Sequence, residues 1–117
     1  MKEKKIRIGL GDRGKGVKVN AKSCNWIEKV VGLMFSRREE AGALLLFDSN
    51  KPINYGIHSL FVFFPFVAVW LDDKNNVVDL RIVKPFTFSI HSKKPFHRLV
   101  EIPINRKYES VVRKLLG

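Results

Sequence analysis

Apolar and charged residues alternate from Lys4 to Leu10, where Ile6 and Ile8 are interleaved with Lys5 and Arg7. That is the period-two signature of a half-exposed strand. After a glycine-rich stretch from Gly9 to Gly16 the alternation resumes at Val17-Lys18-Val19, which predicts a hairpin or two short strands over residues 4–20. The period then changes. Trp26, Ile27, Val30, Val31 and Met34 recur at helical spacing behind Ser23 as N-cap, which predicts a helix from about Cys24 to Phe35. Short apolar runs follow at Ala43 to Phe47 and Ile57 to Phe64, the second ended or bent at Pro65. Phe66 to Leu71 and Val77 to Val83 flank the tip Asp72-Asp73-Lys74-Asn75-Asn76 and read as a hairpin. Residues 84–98 read as a loop around Pro85 and Pro95, and Leu99 to Ile104 as a last strand. Tyr108, Val111, Val112 and Leu115 then space out a short amphipathic C-terminal helix.

Strand dominates this pattern. It predicts a mainly β (α+β) chain: a small single-domain β-barrel-like fold over residues 1–117, with one early helix and a short C-terminal helix. Composition agrees: 45% of the 117 residues are apolar, too many for a disordered chain. The single Cys24 excludes an intrachain disulfide and a cysteine-based zinc site. Leu60 to Leu71 is the one run that resembles a membrane span. As a helix its 12 residues would reach only about 18 Å, and Pro65 would break it. With no export signal at the front, the expectation is a cytoplasmic protein outside the membrane.

The formal net charge is +11, unevenly spread. Residues 1–31 carry nine basic and three acidic side chains, residues 32–80 four and six, and residues 81–117 nine and two. An apolar, slightly acidic middle is therefore flanked by two basic ends. Folding could merge those ends into one face.

Two glycine motifs near the front do not carry nucleotide chemistry. Gly9-Leu10-Gly11-Asp12-Arg13-Gly14 matches the dinucleotide fingerprint, and Gly9 to Lys15 approaches a phosphate-binding loop. Both chemistries need the glycines to open a helix, and here Gly16 leads into a strand pattern. The stretch reads as a hairpin tip. No catalytic residue is assigned either. His58, His91 and His97 have no ligand spacing, and Lys93, Lys94 and Arg98 beside the last two disfavour a metal cation. Cys24 has no histidine placed beside it, and Glu101, an acid inside an apolar strand, calls for an ion pair with Arg98 or Arg106. The reading leans against an enzyme, with no metal and no cofactor expected.

What the charge does favour is an anionic partner, RNA or single-stranded DNA first. The segment His91-Ser92-Lys93-Lys94-Pro95-Phe96-His97-Arg98 is the densest candidate. Lys93, Lys94 and Arg98 would meet phosphates, Phe96 would stack a base, and Arg37 and Arg38 would assist. Phe86 and Phe88 are further aromatics interleaved with the basic residues. One alternative is a small-molecule pocket at the barrel mouth lined by Met34, His58 and Trp70, with room for enzymatic chemistry. Another is a structural or protein-interaction domain whose lysines and arginines are surface chemistry alone.

Gly32-Leu33-Met34-Phe35, the later Leu46-Phe47, the run Phe64-Pro65-Phe66-Val67-Ala68-Val69-Trp70-Leu71-Asp72, Val77-Val78 and Glu101-Ile102-Pro103 together resemble one family. It is the small uncharacterised archaeal and bacterial family known as domain of unknown function 192. The similarity spans about residues 17–110. It implies a compact β-barrel-like domain with a short helix, and no established activity comes with it. Three positions depart from the family pattern. Val67 stands where an Asp is common, Asn76 where a turn glycine is, and Ile104-Asn105 follow the last proline in place of a glycine.

Overall fold

A computed structural model describes residues 2–11, 14, 16–23, 37–57, 62–87 and 89–117. Six strands run Lys2–Ile8 (β1), Val17–Ser23 (β2), Leu44–Ile53 (β3), Phe66–Leu71 (β4), Val77–Val83 (β5) and Phe96–Pro103 (β6). A 3-10 turn at Arg106–Tyr108 leads into helix α1, Glu109–Leu116. The strands form one sheet in the order β1-β2-β3-β6-β4-β5. Every pairing is antiparallel except β2 with β3, which run parallel over Lys22↔Leu44 and Ser23↔Leu45.

The sheet curls until its two edges meet. Gly9, just past β1, accepts from Val77 N at 3.1 Å and donates to Asn75 O at 2.7 Å, so the end of β1 is stitched to the start of β5. Alternation along each strand then sorts side chains into two cores. The inner one takes residues from every strand: Ile6 and Ile8, Val17 and Val19, Leu45, Val67 and Val69, Val100 and Ile102, with Leu80 of β5 packed against them. Helix α1 closes one end of this core with Val112 and Leu115, and the hydroxyl of Tyr108 beside them accepts from Ala43 N at 2.8 Å. The outer core lies on the opposite face of β3, β6 and β4, where Leu44, Leu46, Phe66, Ala68, Trp70 and Leu99 are covered in part by Ala41, Val62, Phe64 and Ile90.

The predicted hairpin at residues 4–20 is β1–β2, and the predicted pair 66–71 and 77–83 is β4–β5. Other expectations need correction. Residues 62–64 of the run Ile57–Phe64 are not strand. Val62 and Phe64 pack as buried side chains on the outer core, while Ile57 makes only an isolated bridge to Ile90. The last strand starts at Phe96, inside what reads as a loop, because Ile53 of the bulged and extended β3 offers it a partner. The turn residue with positive φ is Asn75 (65°), one position before the Asn76 that replaces the family glycine. The early helix expected over residues 24–35 falls outside the described residues. Among the described residues no helix is long and apolar enough to cross a membrane.

The β1–β2 hairpin depends on close backbone approach at its exit. A Cβ at Gly16 would stand 2.8 Å from the Ile8 carbonyl oxygen, a backbone atom that cannot swing away. Gly16→Ala should therefore lower stability by about 1–3 kcal/mol, the usual range for overpacking. Denaturant unfolding measures it, and an unchanged midpoint would count against this packing.

Candidate anion-binding surface

The register of β1 and β2 builds a basic ladder. Val17, Val19 and Ala21 face inward with Ile6 and Ile8, so Lys5, Arg7, Lys18, Asn20 and Lys22 face out and are exposed. Arg7 lies directly opposite Lys18, Lys5 opposite Asn20, and Glu3 opposite Lys22. Like charges facing each other across an antiparallel pair are destabilising. Among the described residues neither Arg7 nor Lys18 has a carboxylate partner. The Arg7 side chain runs over Gly16, its Cγ and Nε each 3.1 Å from where a Cβ would stand there.

Lys93 and Lys94 are exposed, in a loop held by polar contacts. Lys93 N donates to Asp79 Oδ2 at 2.9 Å, and the Ser92 hydroxyl donates to Lys94 O at 2.6 Å. Arg37 is 84% exposed and stands 3.9 Å from Glu40, a pair worth little in water. Arg38 donates its Nε to Ile104 O at 2.7 Å and lines a groove of about 300 Å³ with Arg106 and Arg113, residues that spacing alone had not joined to it. Glu39 and Glu109 line the same groove, and Glu109 pairs with Arg113.

Two expected contacts do not survive folding. Arg98 is a structural clip: its Nε donates to Asp48 Oδ1 at 2.9 Å, and its Nη1 to Asp73 O at 3.2 Å and Asn75 Oδ1 at 2.9 Å. A guanidinium committed to β3 and to the β4–β5 turn has little left for a phosphate. Asp48 also accepts from Lys4 at 2.9 Å, and these two cations, Lys4 first, hold its carboxyl below the usual carboxylate range. Phe96 is wholly buried, so its ring has no face to offer a base. The aromatic side chains that do reach water include Phe63 (58% exposed) and Phe86 (55%), edge to face with centroids 5.5 Å apart. Phe86 sits at φ 63°, a strained conformation for a bulky residue. Phe63 was hidden by its apolar neighbours in sequence, which read as buried strand.

Of the expected pocket, Met34 and His58 lie outside the described residues, and Trp70 is fully buried. On the same sheet face Glu101 is 4% exposed. Neither Arg98 nor Arg106 pairs with it, contrary to expectation. Arg98 belongs to Asp48, and Glu101 faces Leu44 on one side and Ala68 on the other. Burial alone pushes its carboxyl up to about 8. Among the described residues no three His, Cys, Asp or Glu side chains gather as a metal site would need.

Comparison with known proteins identifies relatives of this arrangement. The model of the family DUF192, described as an uncharacterised ACR, matches residues 11–113. A UPF0127 protein of Pyrococcus furiosus is 29% identical over 92 residues, 78% of each chain. A candidate transcription regulator from Sinorhizobium meliloti 1021 superposes with a TM-score of 0.74 at 15% identity, over 95% of this chain and 87% of its own. A protein of unknown function from Novosphingobium aromaticivorans gives 0.66 at 14%, over 94% and 79%. At such identities the two structures speak for the fold.

The raised Glu101 carboxyl sets a sign for stability. Unfolded, the acid ionises near its ordinary 4.5; folded, it holds its proton to about 8. This group's contribution to stability is thus greatest below pH 4.5 and falls by about 1.4 kcal/mol per pH unit between those values, then levels off. Glu101→Gln should flatten this part of the curve. Thermal unfolding from pH 5 to pH 8 tests it, and parallel curves for the two proteins would contradict a buried acid.

Proposed function

The chain belongs to the uncharacterised DUF192 family, and from the surface this member exposes we propose that it is a binding module for an anionic partner, single-stranded RNA or DNA first. The β1–β2 ladder carries the reading. Arg7 and Lys18 face each other in water on the β1–β2 hairpin, an arrangement that costs stability in isolation and gains when a phosphate lies between them. Lys5, Arg7 and Lys18 are the phosphate contacts in this reading, with Lys93, Lys94, Arg37 and Arg38 as flanking cations. The exposed pair Phe63 and Phe86 supplies ring surface for unpaired bases, the role that Phe96 is too buried to take. A small curled β-domain with basic and aromatic surface is a layout used by single-strand binders. The likeness to the Sinorhizobium meliloti structure is consistent with this reading at the level of fold.

Fluorescence anisotropy with a labelled single-stranded oligonucleotide tests the reading. Three to four phosphates neutralised would make binding fall about 20- to 50-fold between 50 and 200 mM salt. Arg7→Glu with Lys18→Glu should abolish binding, while Lys93→Ala with Lys94→Ala should weaken it and lower the salt slope. No binding at 50 mM salt, or binding indifferent to the ladder charges, would overturn the proposal.

A further inference from the structure

The groove of about 300 Å³ at the approach to α1 carries both signs of charge on its walls. Its floor is apolar, made by Ile104 beyond the end of β6 and by Val112 one turn into α1. The walls are pinned. Asn105 donates to Arg38 O at 2.7 Å and to Ala41 O at 3.1 Å, and accepts from Tyr108 N at 3.2 Å. Those bonds tie the 37–41 turn to the segment that leads into the helix. From that turn Arg38 donates its Nε to Ile104 O at 2.7 Å, and Glu39 accepts from Arg106 N at 3.1 Å. The two anchor atoms flank Asn105, so consecutive side chains of opposite charge are brought to one stretch of backbone. Each is held by a single backbone bond and keeps the rest of its hydrogen-bonding capacity: two Nη groups on Arg38, a second oxygen on Glu39. Among the described residues neither Arg38 nor Arg106 has a carboxylate partner, and Glu39 has no cationic one. Glu109 and Arg113, on the helix side of the groove, pair with each other.

We propose that this groove binds a free α-amino acid with an aliphatic side chain. The ligand carboxylate lies against the guanidinium fork of Arg38, a geometry suited to two parallel hydrogen bonds. Its ammonium donates to Glu39, and its side chain covers Ile104 and Val112. The groove is at the lower end of the volumes that small-ligand sites have, which suits a molecule of this size. Charge selects the zwitterion. A plain anion is opposed by Glu39 and Glu109, and a plain cation by Arg38 and Arg106. A ligand with both signs on neighbouring atoms satisfies both walls at once. Walls fixed by Asn105 before binding lower the ordering cost that a loose surface would impose. This site does not rest on the oligonucleotide reading, whose central contacts are on the β1–β2 hairpin.

The test follows the Arg106 backbone amide and the Arg38 Nε–H by nitrogen-15 NMR at pH 7 as small molecules are added. L-Leucine should shift both resonances saturably. Three probes each remove one feature: 4-methylpentanoate lacks the ammonium, 3-methylbutylamine the carboxylate, and glycine the aliphatic side chain. Each should bind about tenfold more weakly than leucine, or worse. Arg38 and Glu39 are exposed, so their substitution leaves the core intact. Arg38→Gln should weaken leucine about tenfold. Glu39→Gln can still accept from Arg106 N; it should bring leucine down to the level of 4-methylpentanoate and leave 4-methylpentanoate itself unchanged. No saturable shift with leucine would overturn the proposal. So would 4-methylpentanoate or inorganic phosphate binding as tightly as leucine, which would make the groove a plain anion patch. An equal loss of leucine and 4-methylpentanoate in Glu39→Gln would also count against it. Oligonucleotide binding is read separately, so the failure of either reading does not decide the other.

Discussion

Curling a six-stranded sheet until Gly9 hydrogen-bonds to both sides of Asn76 is the constraint on which the rest of this molecule depends. Once the edges meet, every strand must turn alternate residues into the curl, and the other set is committed to the outside. At β4 and β6 the outside is itself covered, so Phe66 to Leu71 is buried on both faces and reads as an unbroken apolar run. At β1 and β2 the outside is open water, so the same inward set alternates with lysine, arginine and asparagine. One sheet thus produces both the apolar middle and the basic front of the chain.

Closure also explains where polar groups are spent. The β4–β5 turn must sit against the end of β1, and Arg98 holds it there from β6 while reaching Asp48 on β3. Asn105 performs a similar task at the other end, donating to the carbonyls of Arg38 and Ala41 beneath the approach to α1. These side chains satisfy backbone groups that the sheet ladder leaves open. Glu101 does nothing comparable among the described residues, which sets it apart from the other interior polar side chains. Its neighbours on the adjacent strands are Leu44 and Ala68, neither of which can stabilise its charge.

The basic residues of the two ends sit on different elements: the β1–β2 ladder, Arg81 on β5 and the segment around α1. The outer core over β3, β6 and β4 lies between the β1–β2 ladder and Arg81 of β5 on one side of the curl, while on the other the Gly9 stitch brings the end of β1 to the start of β5. The C-terminal cations Arg106, Lys107, Arg113 and Lys114 gather around a third locus, beside α1.

Elements whose pattern is local are legible in the order of amino acids alone. Alternation located the β1–β2 and β4–β5 hairpins, and helical spacing located α1, because inside and outside differ there at neighbouring positions. The basic ladder was legible as charge but not as a surface, since the register that sets Arg7 against Lys18 is fixed by pairing rather than by either strand alone. That Phe96 is buried, that Arg98 is a clip and that Phe63 is exposed follows from the packed fold. Each outcome turns on a contact with a residue far away in the chain: Ile53 for Phe96, Asp48 and the 72–75 turn for Arg98, and Phe86 for Phe63. Trp70, whose Nε1 has no acceptor among the described residues, belongs with these. A sequence shows which groups need partners, and only the packed sheet shows which of them lack one.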